Sequence, residues 1–157
     1  MTETAPSTRS RYNAALLVLT SVTLAVIAAQ FALAGLGAFS TLRAPAGHAY
    51  AAHMAFGIAV GVLAWIILAG VLISPAGRGR ASTLWPAVAL ALLAIPVEPL
   101  LGEAGQHAPA AGALHAVTGL AIFALAAWLT GAAARQREAA RSAGSAATAS
   151  GVEASRS

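Results

Sequence analysis

The chain has 157 residues, of which 59% are hydrophobic and 9% are charged, and its formal net charge is +4. A soluble globular domain carries roughly a quarter charged residues, so this composition excludes that class and indicates an integral membrane protein. The sequence contains no Cys, which excludes disulfides, thiolate ligands and covalently attached haem. All basic residues are Arg and flank apolar runs rather than forming one patch, so we expect no nucleic-acid binding.

Four apolar segments are long enough to cross a bilayer, at about residues 12–39, 49–73, 84–101 and 110–133. The first is much longer than the apolar part of a signal peptide, which predicts a retained span. Residues 1–11 are polar and residues 134–157 are low in complexity, which predicts disorder at both ends. Pro96 and Pro99 predict a break or kink in the third segment. The sequence therefore predicts an all-α, four-helix membrane bundle.

The arginines also predict the orientation of this bundle. One side of the membrane would hold seven of them, namely Arg9, Arg11, Arg78, Arg80, Arg135, Arg137 and Arg141. The other side would hold Arg43 alone. Cytoplasmic flanks carry the excess of basic residues, so we expect both termini to be cytoplasmic. The two outer loops then contain His48 and His107, for which a solvated surface position is the simplest interpretation.

The two halves of the chain resemble each other. The matching stretches are Phe31–Gly35 with Glu98–Gly102, and His53-x-x-x-Gly57 with His115-x-x-x-Gly119. Both halves cross the membrane in the same direction, so they predict a parallel two-helix repeat. The repeat places one polar residue from each span at a similar depth in the outer half: Gln30, His53, Glu98 and His115.

Histidine within a membrane is costly and is usually partnered. His53 and His115 are candidate axial ligands of a haem b, because neutral imidazole binds haem iron well. Three glycines follow them on the same helix faces and are candidate haem contacts: Gly57, Gly61 and Gly119. Two alternatives remain. Gly57 and Gly61 also form a Gly-x-x-x-Gly helix-packing motif, and the histidines also suit hydrogen bonds to neighbouring side chains or contact with water.

Glu98 and Gln30 are the other polar groups expected inside the bilayer. Glu98 lies between Pro96 and Pro99, where three roles are open: hydrogen bonding to a ligating His, proton relay, or contact with outer water. Gln30 suits an interhelical hydrogen bond. No phosphate-binding loop, nucleophile elbow or zinc-protease motif occurs, so no catalytic residue is predicted.

The stretch Gln30–Phe39 and the two His-x-x-x-Gly motifs resemble a family of small bacterial four-helix membrane proteins, found mainly in actinobacteria, whose function is unknown. More distantly, Gln30 to Gly35 followed by His53 looks like one half of a haem A synthase. That resemblance implies haem binding through paired histidines. The acidic residue that the synthase family uses in catalysis has no secure counterpart here, so the resemblance supports haem binding more than haem chemistry.

Three functions follow as hypotheses for a protein of the bacterial cytoplasmic membrane. The first is electron transfer through haem b held by His53 and His115, with a membrane redox partner or quinone and without conversion of a substrate. The second is a proton-linked transport module that uses Glu98 and the histidines. The third is a scaffold or accessory subunit without a cofactor, in which the glycines mediate packing only.

Overall fold

The computed structural model describes residues 8–40, 50–74, 77 and 79–154, and these residues are helical apart from short turns. The elements are α1 (Thr8–Ser40), α2 (Ala51–Ile73), α3 (Ala81–Leu92), a π-helical turn (Leu93–Val97), α4 (Glu98–Gly105) and α5 (Pro109–Ala154). The all-α prediction is confirmed. Residues 41–49, which hold Arg43 and His48, lie outside the described part of the chain.

Four helical stretches are long and apolar enough to span a membrane: Ser10–Phe39, Ala51–Ile73, Ala81–Gly105 and Pro109–Ser145. The third consists of α3, the π turn and α4. Large apolar side chains cover the outside of the bundle, where Phe39, Met54 and Ile58 are 74%, 66% and 65% exposed. A surface of that kind is stable in lipid and aggregates in water, so the fold is that of a multi-pass membrane protein.

The third span is interrupted where the sequence predicted a break. Ile95 leaves the helical region, with φ −151° and ψ 120°, and the Ile95–Pro96 peptide bond is cis. Pro96 and Pro99 have no N–H to donate to the preceding turn, and their rings oppose a regular helix. The prediction of a break near these prolines is confirmed, and α4 resumes the span at Glu98.

The helices form a bundle in which α1 and α3 each pack against both α2 and α5, and α4 packs against α5. Because α2 and α5 share both neighbours, they face each other across the centre. The turn between α4 and α5 is tight: a Cβ on Gly105 would lie 3.0 Å from the Cα of Gly112. Glycine at this position allows the two backbones to approach.

The two ends of the bundle differ in packing. Buried apolar side chains lie within residues 16–27, 60–71, 87–94 and 122–133, and together they form one core. The opposite end comprises residues 28–40, 50–59 and 95–121 and contains no buried side chain among its described residues. One end is therefore close-packed, and the other, which contains both intramembrane histidines, is loosely packed.

Two helix boundaries differ from the sequence prediction. Helix α5 continues to Ala154, although low complexity predicted disorder from residue 134. Residues 132–141 consist only of Ala, Arg, Gln and Glu, which are strong helix formers and extend the helix beyond the apolar segment. Helix α3 begins at Ala81, three residues before the predicted start at Leu84, so Pro86 lies in its second turn.

Candidate functional site

The two intramembrane histidines face each other at the loosely packed end. His53 lies in the first turn of α2 and His115 in the second turn of α5. Their ring centres are 6.2 Å apart and the ring planes meet at 70°. Both side chains are half-buried. The diagonal arrangement of α2 and α5 thus brings together two residues that are 62 positions apart in the sequence.

His53 is held by Gln30 on α1. The Nδ1 atom of His53 lies 3.2 Å from the backbone carbonyl oxygen of Gln30. A carbonyl only accepts hydrogen bonds, so Nδ1 carries the proton and donates it. The Nε2 atom is then unprotonated and lies 3.4 Å from the side-chain amide nitrogen of Gln30, which donates a long hydrogen bond to it. The ring of Tyr50 approaches His53 edge-on, with centroids 6.1 Å apart.

His115 is held by Glu98 in the same way. Its Nδ1 atom lies 3.3 Å from the backbone carbonyl oxygen of Glu98 and 3.4 Å from the carboxyl oxygen Oε1 of the same residue. Both atoms are acceptors when the carboxyl is ionised, so Nδ1 again carries the proton and Nε2 keeps its lone pair. Gly102 lies beside the ring, because a Cβ there would be 3.3 Å from Cε1 of His115.

The two glycines that follow the histidines by four positions complete the similarity. A Cβ on Gly57 would lie 3.1 Å from the amide nitrogen of Gln30, and a Cβ on Gly119 would lie 3.4 Å from Oε1 of Glu98. Gln30 and Glu98 thus make comparable contacts with these glycines, whereas the sequence alignment pairs Phe31 with Glu98.

Gly61, the third candidate haem contact, packs against the broken third span. A Cβ at this position would lie 2.6 Å from Cγ1 of Ile95. All three glycines after the histidines therefore receive side chains from neighbouring helices, as a helix-packing role requires. A porphyrin lying on these faces requires the side chains of Gln30 and Ile95 to move away from Gly57 and Gly61.

The spacing of the two histidine rings is compatible with two imidazole ligands on one metal ion. Two imidazoles bound to one metal ion at about 2 Å each have ring centres about 6 Å apart, which matches His53 and His115. Each Nδ1–H is bonded to a backbone carbonyl, an arrangement that fixes the tautomer and leaves Nε2 as the ligand. The donor type and the spacing of the ring centres suit haem iron, whereas the amide of Gln30 occupies Nε2 of His53 and would have to move aside. Among the described residues no cluster of three His or Glu side chains forms a site for a bare metal ion.

Two buried oxygen atoms near the histidines have no hydrogen-bond partner among the described residues. They are Oε1 of Gln30 and Oε2 of Glu98. Leaving a polar atom unpaired in an apolar setting costs roughly 1–3 kcal/mol. Both atoms can accept a hydrogen bond, and Oε2 of Glu98 can also carry a proton. The site therefore has capacity for water or protons beside the imidazoles.

Sequence reasoning missed two neighbours of the site and left one histidine outside it. Tyr50 and Gly102 contact the imidazoles, and the signal for Tyr50 was its position three residues before His53, on the same helical face. His107 lies in the exposed turn between α4 and α5, away from the pair. His48 lies outside the described residues.

Comparison of the chain with protein-family models, curated proteins and solved structures finds no match. The resemblances to the small four-helix family and to half of a haem A synthase accordingly stay predictions. The class defined by the fold and the site is a four-span membrane bundle with a histidine pair between diagonal helices.

Proposed function

We propose that the protein is a membrane-embedded haem b protein in which His53 and His115 are the axial ligands. The observation that carries the proposal is the spacing of 6.2 Å between two imidazoles that share one tautomer. The loose packing of the surrounding layer supports it, since a bulky planar group needs space that the close-packed end lacks.

Haem b bound at this position supplies one-electron transfer. The contribution of the chain is ligation and orientation. Glu98 and Gln30 accept the Nδ1–H of each imidazole through their backbone carbonyls, which leaves both Nε2 atoms unprotonated. The amide of Gln30, which donates to Nε2 of His53, would have to move before that nitrogen could bind iron. Gly57, Gly61 and Gly119 provide faces without side chains once Gln30 and Ile95 have moved aside.

The proposed setting is the bacterial cytoplasmic membrane, with both termini in the cytoplasm and the histidines in the outer half. The distribution of arginines supports this orientation. We also propose that the bundle is a parallel repeat of two helix pairs. The matched contacts of His53 with Gln30 and of His115 with Glu98 support the repeat. The electron partner is a membrane redox protein or a quinone.

Absorption spectra of the full-length chain, purified in detergent from cells supplied with haem precursor, test the proposal. We expect a Soret band in the wild-type protein and its loss in the His53→Ala, His115→Ala double variant. His107→Ala is the matched control, because this exposed turn residue lies away from the pair. Absence of the band, or its survival in both single histidine variants, rejects haem ligation by these residues.

Proton-linked transport is a second candidate, favoured by the unpaired Oε2 of Glu98 and the 3.4 Å contact between its Oε1 and His115. Together with His53 these groups form a row of proton-exchanging side chains across the bundle. Proton flux into liposomes that contain the protein should disappear in Glu98→Gln if this function is correct. Unchanged flux in that variant removes the candidate.

A scaffold role without a cofactor is the third candidate, and the coverage of all three glycines by neighbouring side chains favours it. Purification with a larger complex, combined with unaffected assembly in the double histidine variant, supports this role. A haem content of about one per chain contradicts it.

A further inference from the structure

A basic cleft opens at the close-packed end of the bundle, far from the histidines. It has a volume of about 500 Å³ and lies between the start of α3 and the middle of α5. Its polar lining consists of Arg80, Ser82, Arg135 and Gln136, with the indole of Trp128 at one side. The remaining lining is alanine from one face of α5, so the cleft combines two guanidinium groups with an apolar wall.

Both arginines of the cleft are held without an acidic partner. Arg80 immediately precedes α3, and its Nη1 atom is buried with no hydrogen-bond partner among the described residues. Arg135 folds back along α5, because a Cβ on Gly131 would lie 3.2 Å from its Nη1. In the described part of the chain the one ion pair is that of His115 with Glu98. Glu138, one turn beyond Arg135, is exposed and pairs with neither arginine.

The cleft lies at the level where the apolar part of α5 meets polar solvent. Trp128 is 55% exposed and Trp85 is 66% exposed, as is usual for the aromatic residues that mark a bilayer interface. Beyond Ala133, α5 carries Arg135, Arg137 and Arg141 and has left the apolar stretch. A ligand of this cleft is therefore in contact with lipid headgroups.

We propose that the cleft between α3 and α5 binds the phosphate of an acidic phospholipid headgroup, with Arg80 and Arg135 as the two cationic contacts. The guanidinium groups of Arg80 and Arg135 line the cleft without an acidic partner among the described residues, and a phosphodiester supplies several acceptors for them. Ser82 and Gln136 add groups for the glycerol hydroxyls of the headgroup. Basic pockets between membrane helices at the interface are suited to such lipids. The alanine face and Trp128 receive the first carbons of the acyl chains.

Native mass spectrometry of the full-length protein, titrated with phosphatidylglycerol or phosphatidylcholine in detergent, tests the proposal. We expect one tightly retained phosphatidylglycerol per chain. The Arg80→Gln, Arg135→Gln variant should lose about tenfold or more of the preference over phosphatidylcholine. The matched control is Arg137→Gln, Arg141→Gln, which removes the same charge from residues outside the cleft and should keep the preference.

A second variant displaces the guanidinium group of Arg135 without removing its charge. Gly131→Leu places a side chain where the guanidinium of Arg135 lies, so the preference should fall several-fold at unchanged net charge. An equal loss in both double-arginine variants contradicts the proposal, because it indicates diffuse attraction to the basic helix. Displacement of the lipid by millimolar inorganic phosphate also contradicts it and assigns the cleft to a free anion. Retention of phosphatidylglycerol in all variants rejects the cleft as its site.

Discussion

Two contacts hold the imidazoles, one between His53 and Gln30 and the other between His115 and Glu98. They share a hydrogen bond to a backbone carbonyl and differ in the side chain of the partner. In each, a backbone carbonyl accepts from Nδ1 of the imidazole, and a glycine four positions later leaves room for the partner side chain. In the α1–α2 pair the partner is Gln30, an amide that donates to Nε2 of His53. In the α4–α5 pair the partner is Glu98, a carboxyl group that reaches Nδ1 of His115. His53 thus has a neutral amide as its neighbour, and His115 has a carboxyl group that is either ionised or protonated.

The comparison predicts first that both histidines are needed equally as ligands. His53→Ala and His115→Ala should each convert a six-coordinate, low-spin haem into a five-coordinate form and lower haem content about tenfold or more, because one of two axial bonds is lost. Absorption and electron paramagnetic resonance spectra of the two variants measure this. If the low-spin spectrum persists in His53→Ala and is lost in His115→Ala, His53 is not a ligand. The converse result excludes His115.

Exchanging the partners should have unequal effects. Gln30→Glu puts a carboxylate, which only accepts when ionised, beside the Nε2 lone pair of His53. The imidazole then has to protonate Nε2, and ligation should weaken roughly 10- to 100-fold. Glu98→Gln leaves the carbonyl acceptor of His115 in place and should cost tenfold or less. Haem titration of the two apoproteins measures the loss of haem affinity in each variant. A larger loss in Glu98→Gln than in Gln30→Glu contradicts the tautomers described above.

The two glycines should differ in their tolerance of a methyl group. Gly57→Ala brings a Cβ to 3.1 Å from Gln30 and should destabilise the bundle by about 1 kcal/mol. Gly119→Ala makes a 3.4 Å contact with Glu98 and should be nearly neutral, while Gly70→Ala, with open space around it, is the control. Thermal unfolding in detergent measures the change in stability in each of the three variants. Equal destabilisation by Gly57→Ala and Gly119→Ala would contradict the closer contact of Gly57 with the amide of Gln30.

A further effect of stability alone is expected far from the histidines. Trp128 donates its indole N–H to the carbonyl oxygen of Ser82 at 3.2 Å. That carbonyl has no helical donor, because the residue four positions later is Pro86. Trp128→Phe should therefore cost about 1 kcal/mol in thermal unfolding and leave any Soret band unchanged. Trp85→Phe, which changes an exposed indole, is the control, and an equal loss there excludes the hydrogen bond as the cause.

Much of the fold was predictable because hydrophobic length and proline chemistry act locally. The four spans and the break before Glu98 follow from runs of apolar residues and from Pro96. The positions of His53 and His115 near the starts of their helices followed from the bounds of the apolar segments. These predictions needed no knowledge of which helix lies beside which.

The pairing of partners was not predictable in the same way. Gly35 and Gly102 appeared equivalent by letter, yet a Cβ at Gly35 has open space and one at Gly102 meets His115. The hydrogen bond of Trp128 and the cleft with Arg80 both depend on how α3 lies against α5. Contacts between helices decide these features, and a single sequence carries no direct record of them.

Helix α5 also determines on which membrane face the proposed activities occur. From His115 to Arg135 it rises about 30 Å, which is close to the thickness of the hydrocarbon layer. In the proposed membrane arrangement, the imidazole pair thus belongs to one leaflet and the arginine cleft to the other. In the proposed haem protein, electron exchange at the imidazoles would therefore involve donors and acceptors on a single face. Such a reaction would move no charge across the bilayer and would therefore neither generate nor use a membrane potential.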